Sequence, residues 1–134
     1  LHLIGDRELA GVLNNVGYVY ADAGVRLPQA LALTQEAARM APDSGVILDS
    51  LGWAQYRLGQ YDSAAFVLER ALRLQRPPDP EIYYHAGTVH ARMGRLRLAR
   101  EELRRALALR GGDFPEAAEE LRRMRWQLPP PHTA

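Results

Sequence analysis

The chain has 134 residues, which suits one domain or one continuous stack, and its 47% hydrophobic and 25% charged residues are ordinary for a globular protein. Its longest apolar stretches are too short to span a bilayer, and its net charge of +1 gives no general attraction to nucleic acid. The absence of cysteine excludes disulfides, thiolate metal sites and cysteine nucleophiles.

Small residues recur along the chain at a fixed period. Four series share steps of 34 or 35 residues. They are Gly17, Gly52 and Gly87; Gly24, Gly59 and Gly94; Ala30, Ala64 and Ala99; and Ala37, Ala71 and Ala106. A period of this length is typical of arrays of stacked helical units.

Between these markers the apolar residues keep helical spacing, so each period holds two amphipathic helices. The pattern predicts three hairpins followed by a single terminal helix. The predicted helices span 7–23, 28–41, 45–58, 61–75, 80–93, 96–110 and 115–127.

Helix ends are marked by residues with suitable local chemistry. Gly59 and Gly94 fall where a first helix must end, at a turn for which glycine readily supplies a positive φ. The segment 79–81, Asp-Pro-Glu, predicts a helix start, and Asp113 with Glu116 predicts a capping box before the last helix.

Gly52 and Gly87 lie inside first helices, where glycine costs about 1 kcal/mol relative to alanine. A close approach of two helices would compensate for this cost. We expect the second helices to meet these glycines with their small faces, which are formed by Ala64 and Ala71 and by Ala99 and Ala106.

These residues resemble the tetratricopeptide repeat family. The second repeat matches the family pattern through Leu51, Gly52, Ala54, Gly59, Tyr61, Ala64, Ala71 and Leu74. The resemblance implies an all-α, right-handed α-solenoid forming a single array over 1–134. Its repeats would span about 10–44, 45–79 and 80–113, followed by a capping helix at about 115–127 and a proline-rich tail at 128–134. The sequences of the first two repeats also resemble the C-terminal repeats of bacterial members of the family. The second repeat departs from the family pattern at Arg76, where the family usually has proline.

By analogy with the family, the first helices line a concave groove that holds a partner. The groove positions are Asn14, Tyr18, Asp22, Asp49, Trp53, Tyr56, Arg57, Tyr84, Thr88 and Arg92. Aromatic and arginine side chains dominate the binding energy of many interfaces. We expect Trp53 to face the ligand, the alternative being that it packs against Tyr18 or Tyr56. Arg57 and Arg92 could grip an acidic ligand, but solvated charges or ion pairs with Asp49, Asp22 or Glu81 are the favoured interpretation.

The sequence contains no motif for nucleotide binding or nucleophilic chemistry, and His85 and His90 lack the spacing of metal ligands. We therefore expect a non-catalytic module that binds a protein or peptide partner, with no cofactor and no small-molecule substrate. The arginine-rich stretch from Arg92 to Arg110 favours a solvated face over a nucleic-acid site, because no aromatic residues alternate with the arginines.

Two other functions stay open. The chain starts at Leu1 without methionine, which suggests a segment of a longer protein, and its apolar start, Leu1, Leu3 and Ile4, suggests contact with further repeats or with another copy. It could also be a regulatory domain attached to an enzyme elsewhere in a longer chain. Both a cytoplasmic and a bacterial cell-envelope location are compatible with the sequence.

Overall fold

A computed structural model describes residues 5–125, which form seven α-helices and no strand. They are α1 Asp6–Ala23, α2 Leu27–Met40, α3 Gly45–Arg57, α4 Tyr61–Leu74, α5 Pro80–Arg92, α6 Leu96–Leu109 and α7 Pro115–Met124. Every predicted helix is present, and its bounds agree to within one residue except at the end of α7. Trp126, the tail at 128–134 and the apolar start at 1–4 lie outside the described residues.

The turns and two of the helix starts follow the sequence signals. Gly24, Gly59 and Gly94 have φ values of 73°, 81° and 79°, so each first helix ends in the left-handed conformation that glycine adopts readily. Asp79 caps α5, where its Oδ1 accepts a hydrogen bond of 2.9 Å from the backbone N–H of Glu81. Ser44 caps α3 in the same manner through the N–H of Ile47.

The cap of α7 differs from the prediction, because no side-chain hydrogen bond caps this helix. The helix begins at Pro115, so Phe114 occupies the capping position and Asp113 lies one residue too early. Phe114 is buried, and its ring centroid lies 5.2 Å from that of Tyr84. Packing of this ring sets the entry into α7, and the expected capping box does not form.

Gly52 and Gly87 sit at close helix contacts, as expected, and the side chain nearest to each is a leucine, while the backbone carbonyl oxygen of Ala99 lies 3.2 Å from a Cβ placed on Gly87. A Cβ placed on Gly52 would lie 2.6 Å from Cγ of Leu68, and one on Gly87 would lie 2.7 Å from Cγ of Leu103. Both leucines are fully buried. The leucine between the two small residues of each second helix therefore fills the space that glycine leaves.

The chain divides into two compact units, Leu1–Pro78 and Asp79–Ala134, here called unit 1 and unit 2. In unit 1, α1 pairs with α2 and α3 with α4, and α3 also packs on both helices of the first hairpin. Ile47 of α3 belongs to a buried cluster with Ala10 and Ala37. The second hairpin thus buries one face of its first helix against the first hairpin.

Unit 2 consists of the hairpin α5–α6 and the single helix α7, which packs on both of them. Its core contains Leu103 and Ala106 from α6, Phe114, and Ala117 and Met124 from α7. The predicted fold class, an all-α helical-repeat solenoid, is confirmed. The division of the whole chain into one array with repeats at 10–44, 45–79 and 80–113 stays a prediction.

Candidate functional site

In unit 1, helical spacing gathers the predicted groove residues of each first helix on one face. Asn14, Tyr18 and Asp22 follow one another at four-residue steps on α1, and Asp49, Trp53 and Arg57 do the same on α3. A side-chain hydrogen bond joins the two helices: Nε1 of Trp53 donates to Oδ1 of Asp22 over 3.2 Å. We call this surface the α1–α3 face.

The expectation that Trp53 faces a ligand is wrong. The residue is only 3% exposed, so its indole is not open to a partner. Its ring stacks on Tyr56, with centroids 4.8 Å apart and planes 25° apart. This is the packing predicted by the alternative interpretation. The indole and its N–H stabilise the α1–α3 face from within, so any partner would meet other groups of this face.

Asn14 is the polar residue of this face whose hydrogen bonding is incomplete. The side chain is 6% exposed, and its Oδ1 accepts no hydrogen bond from any of residues 5–125. Asp49, one repeat later on α3, is also buried, whereas Asp22 is exposed and Tyr18 is partly exposed. The face thus combines an unused buried acceptor with a carboxylate and a phenol that solvent can reach.

Arg57 lies at the edge of this face. Its side chain is exposed, and a Cβ placed on Gly24 would come within 2.6 Å of its guanidinium. Gly24 at the end of α1 therefore leaves the room that Arg57 occupies.

In unit 2, two of the three predicted groove residues make hydrogen bonds within the unit. Thr88 is buried, and its hydroxyl donates to the carbonyl of Tyr84 over 2.8 Å. The Nη1 and Nη2 atoms of Arg92 donate to the two carboxylate oxygens of Glu120 over 3.1 and 2.9 Å. Of the two favoured interpretations, a solvated charge or an ion pair, Arg92 shows the ion pair, but its partner is Glu120 in place of Asp49, Asp22 or Glu81.

Tyr84, the third predicted residue, lines an open depression of about 430 Å³ beside α7. Pro115, Glu116, Glu119, Glu120, Arg122 and Arg123 complete its lining. A hydrogen bond from Arg122 lowers the pKa of the Glu119 carboxyl. The depression carries charges of both signs, so it favours neither an acidic nor a basic ligand.

Among residues 5–125, no group of three or more potential ligands is arranged to hold a metal ion. No described helix combines the length and the apolar character that crossing a membrane requires.

Two models of the tetratricopeptide repeat match the chain, one at residues 46–77 and the other at residues 80–113. These two spans contain the hairpins α3–α4 and α5–α6, the same segments that the glycine period delimits. The chain belongs to the tetratricopeptide repeat family.

A relative in this family is the TPR repeat-containing protein PA4667 of Pseudomonas aeruginosa, which is 42% identical over 78 residues. The match covers 58% of this chain and 13% of that protein, so the chain spans only a small part of its relative.

Two solved tetratricopeptide domains share the fold. The first such domain of Spaghetti (RPAP3), bound to the HSP90 peptide SRMEEVD, has a TM-score of 0.78 and 24% identity, covering 90% of this chain and 94% of its own. The Arabidopsis OM64 TPR domain has a TM-score of 0.80 and 18% identity, covering 92% of this chain and 100% of its own. Family and fold together support a protein–protein interaction module.

Sequence reasoning missed two buried glutamates of this tetratricopeptide chain. Glu120 holds Arg92, and Oε1 of the buried Glu102 lies 2.5 Å from Nδ1 of the buried His90. The sequence contained a sign that these glutamates face the core, because each has apolar residues three positions before it and four positions after it in the helix. They are Ala99 and Ala106 around Glu102, and Ala117 and Met124 around Glu120.

Proposed function

We propose that this chain binds a segment of a partner protein, extended or helical, on the α1–α3 face of unit 1, and that it catalyses no reaction. Tetratricopeptide repeats support the general role, and one protein of similar fold carries a bound peptide. The partner would lie along the first helices, where Asn14, Tyr18, Asp22 and Arg57 offer polar groups.

The unused acceptor of Asn14 is the observation that carries this proposal. A buried oxygen without a donor costs about 1–3 kcal/mol of stability, and a bound segment can remove that cost with one N–H group when the Asn14 amide turns its enclosed oxygen toward the segment. Every peptide presents such donors along its backbone. The face is therefore suited to a segment that supplies N–H groups to acceptors.

The charges of the face favour the same chemistry. Asp22 is exposed on α1, and its Oδ1 already accepts the indole N–H of Trp53, which fixes the carboxylate in place. Of the two arginines that could have gripped an acidic ligand, Arg92 holds Glu120 within unit 2. A partner with donor groups, including basic side chains, thus fits unit 1 better than a segment that is bound through its carboxylates.

A peptide selection tests the proposal directly. Peptides selected from a random displayed library against the 134-residue chain are titrated into the wild type, Tyr18→Ala and Phe66→Ala. Phe66 is a matched control, because it is an exposed aromatic on the second helix α4. We expect Tyr18→Ala to weaken binding by about tenfold, in the range of an interface aromatic, and Phe66→Ala to leave it unchanged. Binding that depends on Phe66 and is indifferent to Tyr18 would contradict the proposal.

A further inference from the structure

One side of α1 is apolar and open to solvent. Leu9, Val12, Val16 and Val19 follow at steps of three or four residues and are 36%, 48%, 40% and 61% exposed. They form a single stripe along the helix, and the sequence from 9 to 21 contains no charged residue. Single exposed valines are ordinary on a protein surface, whereas a continuous uncharged stripe is typical of an interaction site. We call these four residues the α1 stripe.

The repeat period relates the α1 stripe to a buried side of α3. The residues that lie 35 positions after Val12, Val16 and Val19 are Ile47, Leu51 and Ala54, respectively. These three are only 8%, 8% and 0% exposed. Ile47 packs in one cluster with Ala10 and Ala37, which belong to the preceding hairpin α1–α2.

The same positions recur on α7 in unit 2. Two further steps of 35 residues beyond α3 lead to Ala117, Leu121 and Met124. Ala117 and Met124 are buried in the core that α7 shares with α6, and Leu121 packs against that core. In each unit, therefore, the residues at these positions pack against the preceding hairpin, from α3 in unit 1 and from α7 in unit 2.

We propose that the α1 stripe is the docking surface for one further helical hairpin of the same repeat type, lying before α1 in the protein. Its second helix would end in small residues, because Ala37, Ala38 and Ala41 near the end of α2 surround the equivalent Ile47. The relative from Pseudomonas aeruginosa agrees with such a context, since the matched segment is 13% of a repeat-containing protein.

A second copy of this chain fits the α1 stripe less well than a further hairpin does, if the two copies stack with the C-terminal end of one on the α1 stripe of the other. The surface that receives a following first helix lies on α5 and α6 in unit 2, and α7 already covers it. The exposed side of α7 carries Glu116, Glu119, Arg122 and Arg123, a polar surface of the kind that ends a repeat array. Pairing of two α1 stripes is the remaining arrangement, and the experiment distinguishes it.

Thiol labelling tests the proposal in a chain that has no cysteine of its own. Val16→Cys and Phe66→Cys are each prepared in the 134-residue chain and in an extended chain. In the extended chain, residues 1–9 are replaced by a duplicate of residues 10–44, which keeps the 35-residue step and retains Val12, Val16 and Val19 of the α1 stripe, with serine at the place of Leu9. We expect the thiol at position 16 to react with a maleimide at least about tenfold more slowly in the extended chain, since a docked hairpin buries it. The thiol at position 66 should react at the same rate in both chains.

Equal rates at position 16 in the two chains would overturn the proposal, whether the added hairpin folds elsewhere or does not fold. Protection of position 16 that grows with the concentration of the 134-residue chain would also overturn it, in favour of a second copy. Val16→Glu supplies an independent readout. It should lower the unfolding midpoint of the extended chain and leave that of the 134-residue chain unchanged, and equal effects in the two would contradict the docking.

Discussion

The first helices of the two units differ in how their polar groups are used. In unit 2, both Nη atoms of Arg92 bind Glu120, and the hydroxyl of Thr88 binds the carbonyl of Tyr84. In unit 1, Trp53 donates a hydrogen bond from α3 to Asp22 of α1, and Oδ1 of Asn14 accepts none from the described residues. The 35-residue period thus determines where the helices lie, while the side chains at equivalent positions determine which face has an acceptor left for a partner.

The largest expected effect concerns what the two units share. Leu68 and Leu103 occupy the same repeat position, and both are fully buried against a glycine of the paired helix. We expect Leu68→Ala and Leu103→Ala each to lower the free energy of unfolding by about 2–5 kcal/mol, because each leaves a cavity. Chemical denaturation measures both losses, with the half-exposed Leu98→Ala as a milder control. A loss below about 1 kcal/mol at either leucine would mean that the two contacts are not equivalent.

The next effect separates two arginines that lie one repeat apart. Arg92→Met leaves the buried Glu120 without its bidentate partner, so we expect a loss of about 1–3 kcal/mol in the free energy of unfolding. Arg57→Met removes an exposed charge and should change this free energy by no more than about 0.5 kcal/mol. Thermal and chemical unfolding of both variants provide the measurement. Equal losses would remove the contrast between the units.

A smaller effect tests the hydrogen bond that holds the α1–α3 face together. A double-mutant cycle with Trp53→Phe and Asp22→Ala should give a coupling energy of about 0.5–1.5 kcal/mol, the usual worth of one hydrogen bond. The cycle subtracts the loss of ring volume at position 53, which is common to both arms. A coupling energy indistinguishable from zero would show that the hydrogen bond between Trp53 and Asp22 does not contribute to joining α1 and α3.

The smallest expected effect concerns an exposed pair of glutamate and arginine that occurs in each unit. Hydrogen bonds from Arg39 and Arg122 lower the pKa of the Glu36 and Glu119 carboxyls, respectively. A carboxyl whose pKa is lower in the folded state stabilises above its unfolded pKa, and this contribution disappears as the pH falls through the folded value. Glu36→Gln and Glu119→Gln should therefore reduce the acid sensitivity of stability slightly and to a similar extent. A clear difference between the two pH profiles would reveal an unequal role for α2 and α7.

Most of the backbone arrangement follows from local sequence signals. Glycine at 24, 59 and 94 needs no tertiary information to predict a turn, and Asp79 with Pro80 predicts a helix start that the structure contains. The capping box predicted before α7 does not form, which shows that local sequence signals alone do not determine every helix cap. The helix begins at the predicted residue, but the buried Phe114 occupies the capping position in place of Asp113, and its ring packs against Tyr84, thirty positions earlier.

The candidate site was less predictable, because its chemistry depends on pairs of residues from different helices. Helical spacing places Trp53 on the same side of α3 as Asp49 and Arg57, but it could not reveal that Asp22 and Tyr56 contact the indole. Similarly, the sequence favours a solvated charge or an ion pair for Arg92, but it does not identify the partner Glu120, which lies 28 positions later on another helix. The unused oxygen of Asn14 is visible only when every neighbouring donor has been placed.

Asn14→Leu is the most direct test of the claim that this acceptor serves a partner. The substitution removes a buried oxygen that has no donor and keeps a side chain of similar size. We expect the free energy of unfolding to stay unchanged or to rise by about 1 kcal/mol, while the affinity for peptides selected on the wild type falls by about tenfold. Unchanged affinity, or a parallel loss of stability and binding, would contradict the account, because either result would assign Asn14 to the fold and not to the partner.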